Sequence, residues 1–230
     1  MSLFKFLSVD FIHYIKEREE FYEKVGKDAF SYKVVLNFFL LLLLFSSIYG
    51  FVMGSYNSLS QAISSSIKMP ILFSASIMIC FPAFFIIQLI LGSKLNLRQI
   101  LTIVLAGFVF SATIMVAFSP IILFFTQTSD NYSFLKLLHV GVIGFSGFFG
   151  MQTMTHALQD ACENKKVYPK IGISVFSVWV LVLAFVGMQL AWNLRPFLGN
   201  RDQPFEIIRA KQGNFYIAIM QSVSGVMIND

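Results

Sequence analysis

From Val34 to Gly54 the chain carries no charged side chain, and its middle is an unbroken leucine run, Leu40 to Leu44. A bilayer's hydrocarbon core is about 30 Å thick, and a helix rising about 1.5 Å per residue crosses it in roughly 20 apolar residues. In lipid every backbone N–H and C=O must find its partner within the protein, so a run like this folds as a helix. Four more follow: Met69 to Gly92, Gln99 to Thr126, Leu137 to Thr155 with His139 as its one titratable group, and Ile171 to Leu194. Lys94 and Arg98 fall in or beside the connector between the second and third runs.

The expected fold class is therefore all-α: a polytopic membrane helical bundle of five transmembrane helices (34–54, 69–92, 99–126, 135–158 and 171–194), with interfacial amphipathic helices besides. Composition agrees. Hydrophobic residues make up 57% of the 230 and charged ones 13%, about half the usual charged share of roughly 25%. A soluble fold so poor in charge would expose large apolar patches and aggregate, which excludes a soluble enzyme, a secreted disulfide module and a disordered tail. Cys80 lies in an apolar run and Cys162 in a charged loop, so both are expected as free thiols.

Basic residues near the spans set orientation. With the N-terminus inside, the inner face collects Lys5, Lys16, Arg18, Lys24, Lys27, Lys33, Lys94, Arg98, Lys165, Lys166 and Lys170, against Lys68 and Lys136 outside before the last span. The expectation is a multi-pass protein of the cell's inner membrane, N-terminus cytoplasmic and, with an odd number of spans, C-terminus extracytoplasmic.

Outside the bundle of 31–196, residues 1–30 form a cytoplasmic segment whose Phe4, Leu7, Phe11, Tyr14, Ile15, Phe21 and Tyr22 recur at helical spacing, the pattern of an interfacial helix. Ser55 to Lys68 reads as a serine-rich connector, or alternatively as a helix lying flat on the surface. The tail, 197–230, opens with a turn-forming stretch to Pro204 and ends in a short apolar stripe from Phe215 to Met227, a surface helix or a lid. Gln99 to Ser129 as one helix would reach about 46 Å, so it must tilt or bend. Pro120 and Pro82 are the expected helix kinks, each removing a backbone donor, while Pro70 reads as lying near a helix start.

No phosphate loop, dinucleotide fingerprint, HExxH, GxSxG, EF-hand or potassium-filter motif is present. No enzyme, cofactor or metal is expected, and the partners are the lipid bilayer and a second copy or another membrane protein, with no nucleic acid and no identified small-molecule substrate. The fourth span is unusual for Gly141, Gly144, Gly147 and Gly150, a slanted groove suited to close helix packing. Gln152, His156, Asp160 and Glu163 follow as a polar stripe, read as a solvated helix end in preference to a metal or proton site. His139 at membrane depth points to the bundle interior or a polar cavity. With Gln189, Asn193 and Arg195 at the end of the fifth span it forms a candidate polar or pore-lining set, for which capping and snorkelling are the plainer reading.

Ser65-Ser66-Ile67-Lys68-Met69-Pro70, Ile79-Cys80-Phe81-Pro82, Leu91-Gly92-Ser93, Phe118-Ser119-Pro120 and Trp192-Asn193-Leu194-Arg195-Pro196-Phe197 together resemble a bacterial family of multi-pass inner-membrane proteins related loosely to the Yip-domain proteins. That resemblance implies five spans, an inner N-terminus, an outer C-terminus and a membrane-scaffolding role. The functional expectation is a non-enzymatic integral membrane scaffold or assembly subunit. The alternative is a small channel or permease component with a polar path near His139 and Gln189 to Arg195.

Overall fold

The computed structural model describes residues 31–90, 95–163, 171–201 and 205–208, with Lys24 and Met220. They form five helices, α1 (Tyr32–Gly54), α2 (Leu59–Ile90), α3 (Leu97–Thr128), α4 (Tyr132–Glu163) and α5 (Ile171–Leu194). All five are long and apolar enough to cross a membrane. The described residues thus form an all-helical bundle of the kind that spans a membrane. Apart from Lys24 and Met220, the expected helices within 1–30 and beyond Gly213 lie outside the described residues.

Local chemistry sets several helix ends. Ser31 caps α1, and Asn96 caps α3 in a reciprocal box: its side chain accepts from Gln99 N at 2.9 Å, and the Gln99 side chain accepts from Asn96 N at 3.0 Å. The Arg98 guanidinium sits 5.1 Å from the Tyr32 ring centroid. That contact joins the first turns of α1 and α3.

The short connectors make successive helices antiparallel. α1 packs along α2 and α3, α3 along α4, and α2 along α5, while α4 and α5 touch only lightly. α3 is the central helix: from Thr102 to Val109 no residue is exposed. A helix at the edge of a bundle would turn one side outward within that length. α5 is held to α2 by aromatic packing, with Phe84 stacked at 4.2 Å on Trp179, whose indole N–H donates to the Cys80 carbonyl at 3.0 Å.

The serine-rich stretch departs from expectation. α2 begins at Leu59, ten residues before the expected start of the span, so most of Ser55 to Lys68 is neither connector nor separate surface helix but the first turns of α2. The reason is which way its residues face. Gln61, Ser65 and Lys68 are buried against the bundle, while Leu59, Ile63 and Ile67 point outward. Pro70 is correspondingly interior to α2 and strands the Ser66 carbonyl instead of sitting at a free helix start. α2 also continues through Pro82, and α3 through Pro120.

Two close crossings hold the helices together. On α1, a Cβ at Gly54 would lie 2.7 Å from Ala62 Cα, and one at Gly50 would lie 2.9 Å from the Ser65 carbonyl carbon. Gly50 and Gly54 are four apart, the small-xxx-small spacing that lets two backbones touch. Between α3 and α4, Gly107 and Ser111 meet Ser146 and Gly150: the Ser111 hydroxyl donates to the Ser146 carbonyl at 3.0 Å, and a Cβ at Gly150 would lie 2.5 Å from the Gly107 carbonyl.

Candidate functional site

One group of buried polar side chains gathers at the end where α1, α3 and α5 finish and α2 and α4 begin. Gln61, Ser65 and Lys68, at i, i+4 and i+7, share one face of α2. After α5 the chain leaves helical form and runs back across that face. Gly199 makes the turn with a φ of 69°, and a Cβ there would lie 2.8 Å from the Asn57 side chain, so both backbone and space call for glycine.

Irregular backbone inside a membrane bundle needs donors for its carbonyls, and α2 supplies them. The Gln61 amide donates to the carbonyls of Pro196 (2.8 Å) and Phe197 (3.1 Å), and the Ser65 hydroxyl to Phe197 (2.5 Å). The Lys68 ammonium donates to the Pro196 carbonyl at 2.9 Å and also to that of Ile207. Asn57 donates to the Asn200 carbonyl at 2.6 Å. Lys68 is only 5% exposed. A buried ammonium is costly unless hydrogen bonded, and here carbonyl dipoles meet it.

Arg201 closes the cap from the other side. Its Nε donates to the Tyr56 carbonyl (3.1 Å), one terminal nitrogen to the Thr126 carbonyl (3.0 Å), and the other to Asp130 Oδ1 (2.8 Å). It thereby joins the α1–α2 connector to the end of α3, with its charge 4.4 Å from the Tyr56 ring centroid. The Asp130 side chain is 95% exposed, so water screens that ion pair and the carbonyl bonds carry the larger share.

Beneath the cap lies His139. It is 2% exposed, and its Nδ1 is 2.9 Å from the Tyr49 hydroxyl of α1. The other ring nitrogen, Nε2, is buried without a hydrogen-bond partner among the described residues. If Nδ1 accepts, Nε2 holds a proton with no acceptor; if Nδ1 donates, the Nε2 lone pair is stranded. Either tautomer leaves a ring nitrogen unsatisfied, at a cost of about 1–3 kcal/mol.

The other residues expected to form a polar set do not converge on His139. Gln189 is half-buried; Asn193 is exposed and donates back to the Gln189 carbonyl of its own helix at 2.9 Å. The Arg195 guanidinium lies 3.8 Å from the Trp192 ring centroid. Of the four glycines, Gly150 packs against α3, whereas a Cβ at Gly141, Gly144 or Gly147 would meet nothing within 4 Å. Gln152 and His156 are exposed. Among the described residues, no group of three or more His, Cys, Asp or Glu is placed to hold a metal.

Tyr49, Gln61, Lys68 and Arg201 were not among the expected site residues. Arg201 and Asn57 join segments more than 140 residues apart, and no local pattern announces such a pairing. The four-residue spacing of Gly50 and Gly54, also not among the expected packing positions, is the signal that could have located the α1–α2 crossing. Searches of known protein families, curated proteins and solved structures give no match to this chain.

Proposed function

We propose that the protein is a non-enzymatic integral membrane scaffold or assembly subunit of the bacterial inner membrane, N-terminus cytoplasmic and C-terminus extracytoplasmic, with a role like that of Yip-domain proteins. The observation that carries this reading is the filled interior: α3 is enclosed by packed side chains from Thr102 to Val109, and the polar end is occupied by the chain's own tail. What is left for outside contact is the lateral surface. On α4 that surface is Gly141, Gly144, Phe145, Gly147 and Phe148, all exposed.

A glycine within a helix costs about 1 kcal/mol relative to alanine. At Gly50, Gly54 and Gly150 close packing offsets that cost; at Gly141, Gly144 and Gly147 nothing in the described chain does. A helix from a second copy or another membrane protein, seated there, would offset it. Purification in mild detergent should yield a stoichiometric partner or a defined homo-oligomer, and Gly144→Ile should dissociate it without unfolding the chain. A lone monomer under several mild conditions contradicts the proposal.

The second reading, a channel or permease component, draws on the unsatisfied Nε2 of His139. It requires purified protein in liposomes to pass an ion or solute, and His139→Ala to alter that flux. Silence across a broad solute panel removes it.

A further inference from the structure

We infer that the segment Phe205 to Ile208 is an interfacial strap: its backbone is tied to the buried Lys68 of α2, and Phe205, Ile207 and Ile208 lie in the boundary of the leaflet. This inference concerns the tail alone and stands apart from the scaffold reading.

The first step is the polarity of α2. Leu59, Ile63, Ile67 and Ile71, four apart, are 68%, 51%, 57% and 48% exposed, while Gln61, Ser65 and Lys68 on the other side are at most 5% exposed. In water this arrangement is upside down, since burying an isoleucine side chain is worth about 1.5–3 kcal/mol. Against hydrocarbon it is the stable one. The outward stripe also continues down the same helix into Met78, Ile79 and Ile86, all exposed, so lipid covers it from the first turns onward.

The second step is depth. Lys68 lies nine residues beyond Leu59, about 13 Å along the helix axis. Its ammonium donates to the Ile207 carbonyl, and a lysine stem reaching back toward the helix start recovers only about half of that distance. Ile207 therefore sits below the level of Leu59, close to Pro196, whose carbonyl the same ammonium serves. Phe205, Ile207 and Ile208 are themselves 42%, 64% and 62% exposed, apolar side chains turned outward at that depth while the backbone between them is tied inward to a buried ammonium.

The third step is charge. Glu206, between Phe205 and Ile207, is also exposed. A carboxylate stays out of hydrocarbon, so it fixes the strap at the headgroup boundary, where alternate side chains of irregular backbone face acyl chains and water. A tail free in solution has no use for three large apolar side chains in four residues, nor for a buried lysine to anchor their backbone.

The test is nitroxide accessibility in proteoliposomes, on the full chain with Cys80 and Cys162 replaced by alanine and one cysteine introduced at a time. Ile207→Cys and Ile208→Cys are compared with Ile67→Cys and Ile71→Cys on α2 and with Asp130→Cys in the α3–α4 connector. All five positions are solvent- or lipid-exposed, so none disturbs the core. The expected result is that labels at Ile207 and Ile208 relax with oxygen and lose the broadening by a water-soluble nickel complex seen at Asp130, as those at Ile67 and Ile71 do. Nickel accessibility at Ile207 and Ile208 equal to that at Asp130 overturns the strap. Nickel accessibility at Ile67 and Ile71 as well overturns the lipid-facing assignment of α2 on which it rests.

Discussion

Replacing Gly50 with alanine adds one methyl group at the tightest point of the α1–α2 crossing. Its Cβ would collide with the Ser65 carbonyl oxygen and stand 2.9 Å from the carbonyl carbon and 2.9 Å from Met69 Cγ. The Met69 side chain can swing away; the Ser65 backbone cannot without moving α2. Alanine in place of glycine contributes up to about 1 kcal/mol of helix propensity, while overpacking a close contact costs about 1–3 kcal/mol. Moving α2 also loosens Gly54 against Ala62 and draws Gln61, Ser65 and Lys68 from the tail carbonyls they serve. The expected net loss is about 1–2 kcal/mol. Gly144→Ala has the same propensity gain and no neighbour within 4 Å to collide with, so the isolated chain should be as stable as the parent or more so. Unfolding of the protein dissociated to single chains in a harsher detergent, followed by circular dichroism against denaturant, measures both. If Gly50→Ala is as stable as Gly144→Ala, the glycine crossing is not what joins α1 to α2.

Three further outcomes follow from the same contacts. Arg201→Ala removes the bonds to the Tyr56 and Thr126 carbonyls and should raise the maleimide labelling rate of a cysteine placed at buried Leu198, whereas Asp130→Asn, which loses only a screened ion pair, should leave that rate unchanged. Tyr49→Phe strands the second ring nitrogen of His139 and should destabilise by about 1–3 kcal/mol, while Tyr49→Phe combined with His139→Phe, which removes both polar groups, should recover most of it in a double-mutant cycle. Trp179→Ala deletes the ring stacked on Phe84 and the bond to the Cys80 carbonyl, and should cost about 3–5 kcal/mol as a buried aromatic truncation. Because α5 is held chiefly by α2, that loss should appear first as protease sensitivity near α5.

What the sequence disclosed was governed by how local each cause is. A charge-free run long enough to cross lipid is a property of consecutive residues, so all five helices could be read directly. The first turns of α2 were obscured because Ser, Gln and Lys signal water in most settings, and only the bundle reveals that these residues face inward while Leu59, Ile63 and Ile67 face out. The α4 glycines illustrate the limit of a motif. A spacing of three turns each successive glycine by about 60° around the helix, so one neighbour meets Gly150 and leaves Gly141, Gly144 and Gly147 open. Gly50 and Gly54, four apart, stay on one face and both make contact. The inward placement of His139 follows from its being a titratable group at membrane depth; its partner Tyr49, ninety residues away, is set by the α1–α4 arrangement alone.

The scaffold reading rests on an interior closed to water, and cysteine accessibility along α3 examines that most directly. Thr102→Cys, Ala106→Cys and Val109→Cys place small thiols at buried positions of the central helix, and a water-soluble methanethiosulfonate can be supplied to both faces of reconstituted vesicles. A filled bundle predicts no reaction at any of the three under conditions where Asp130→Cys is fully modified. Modification at Thr102 or Ala106 would instead reveal an aqueous path through the bundle, contradicting the scaffold reading and favouring a conduit.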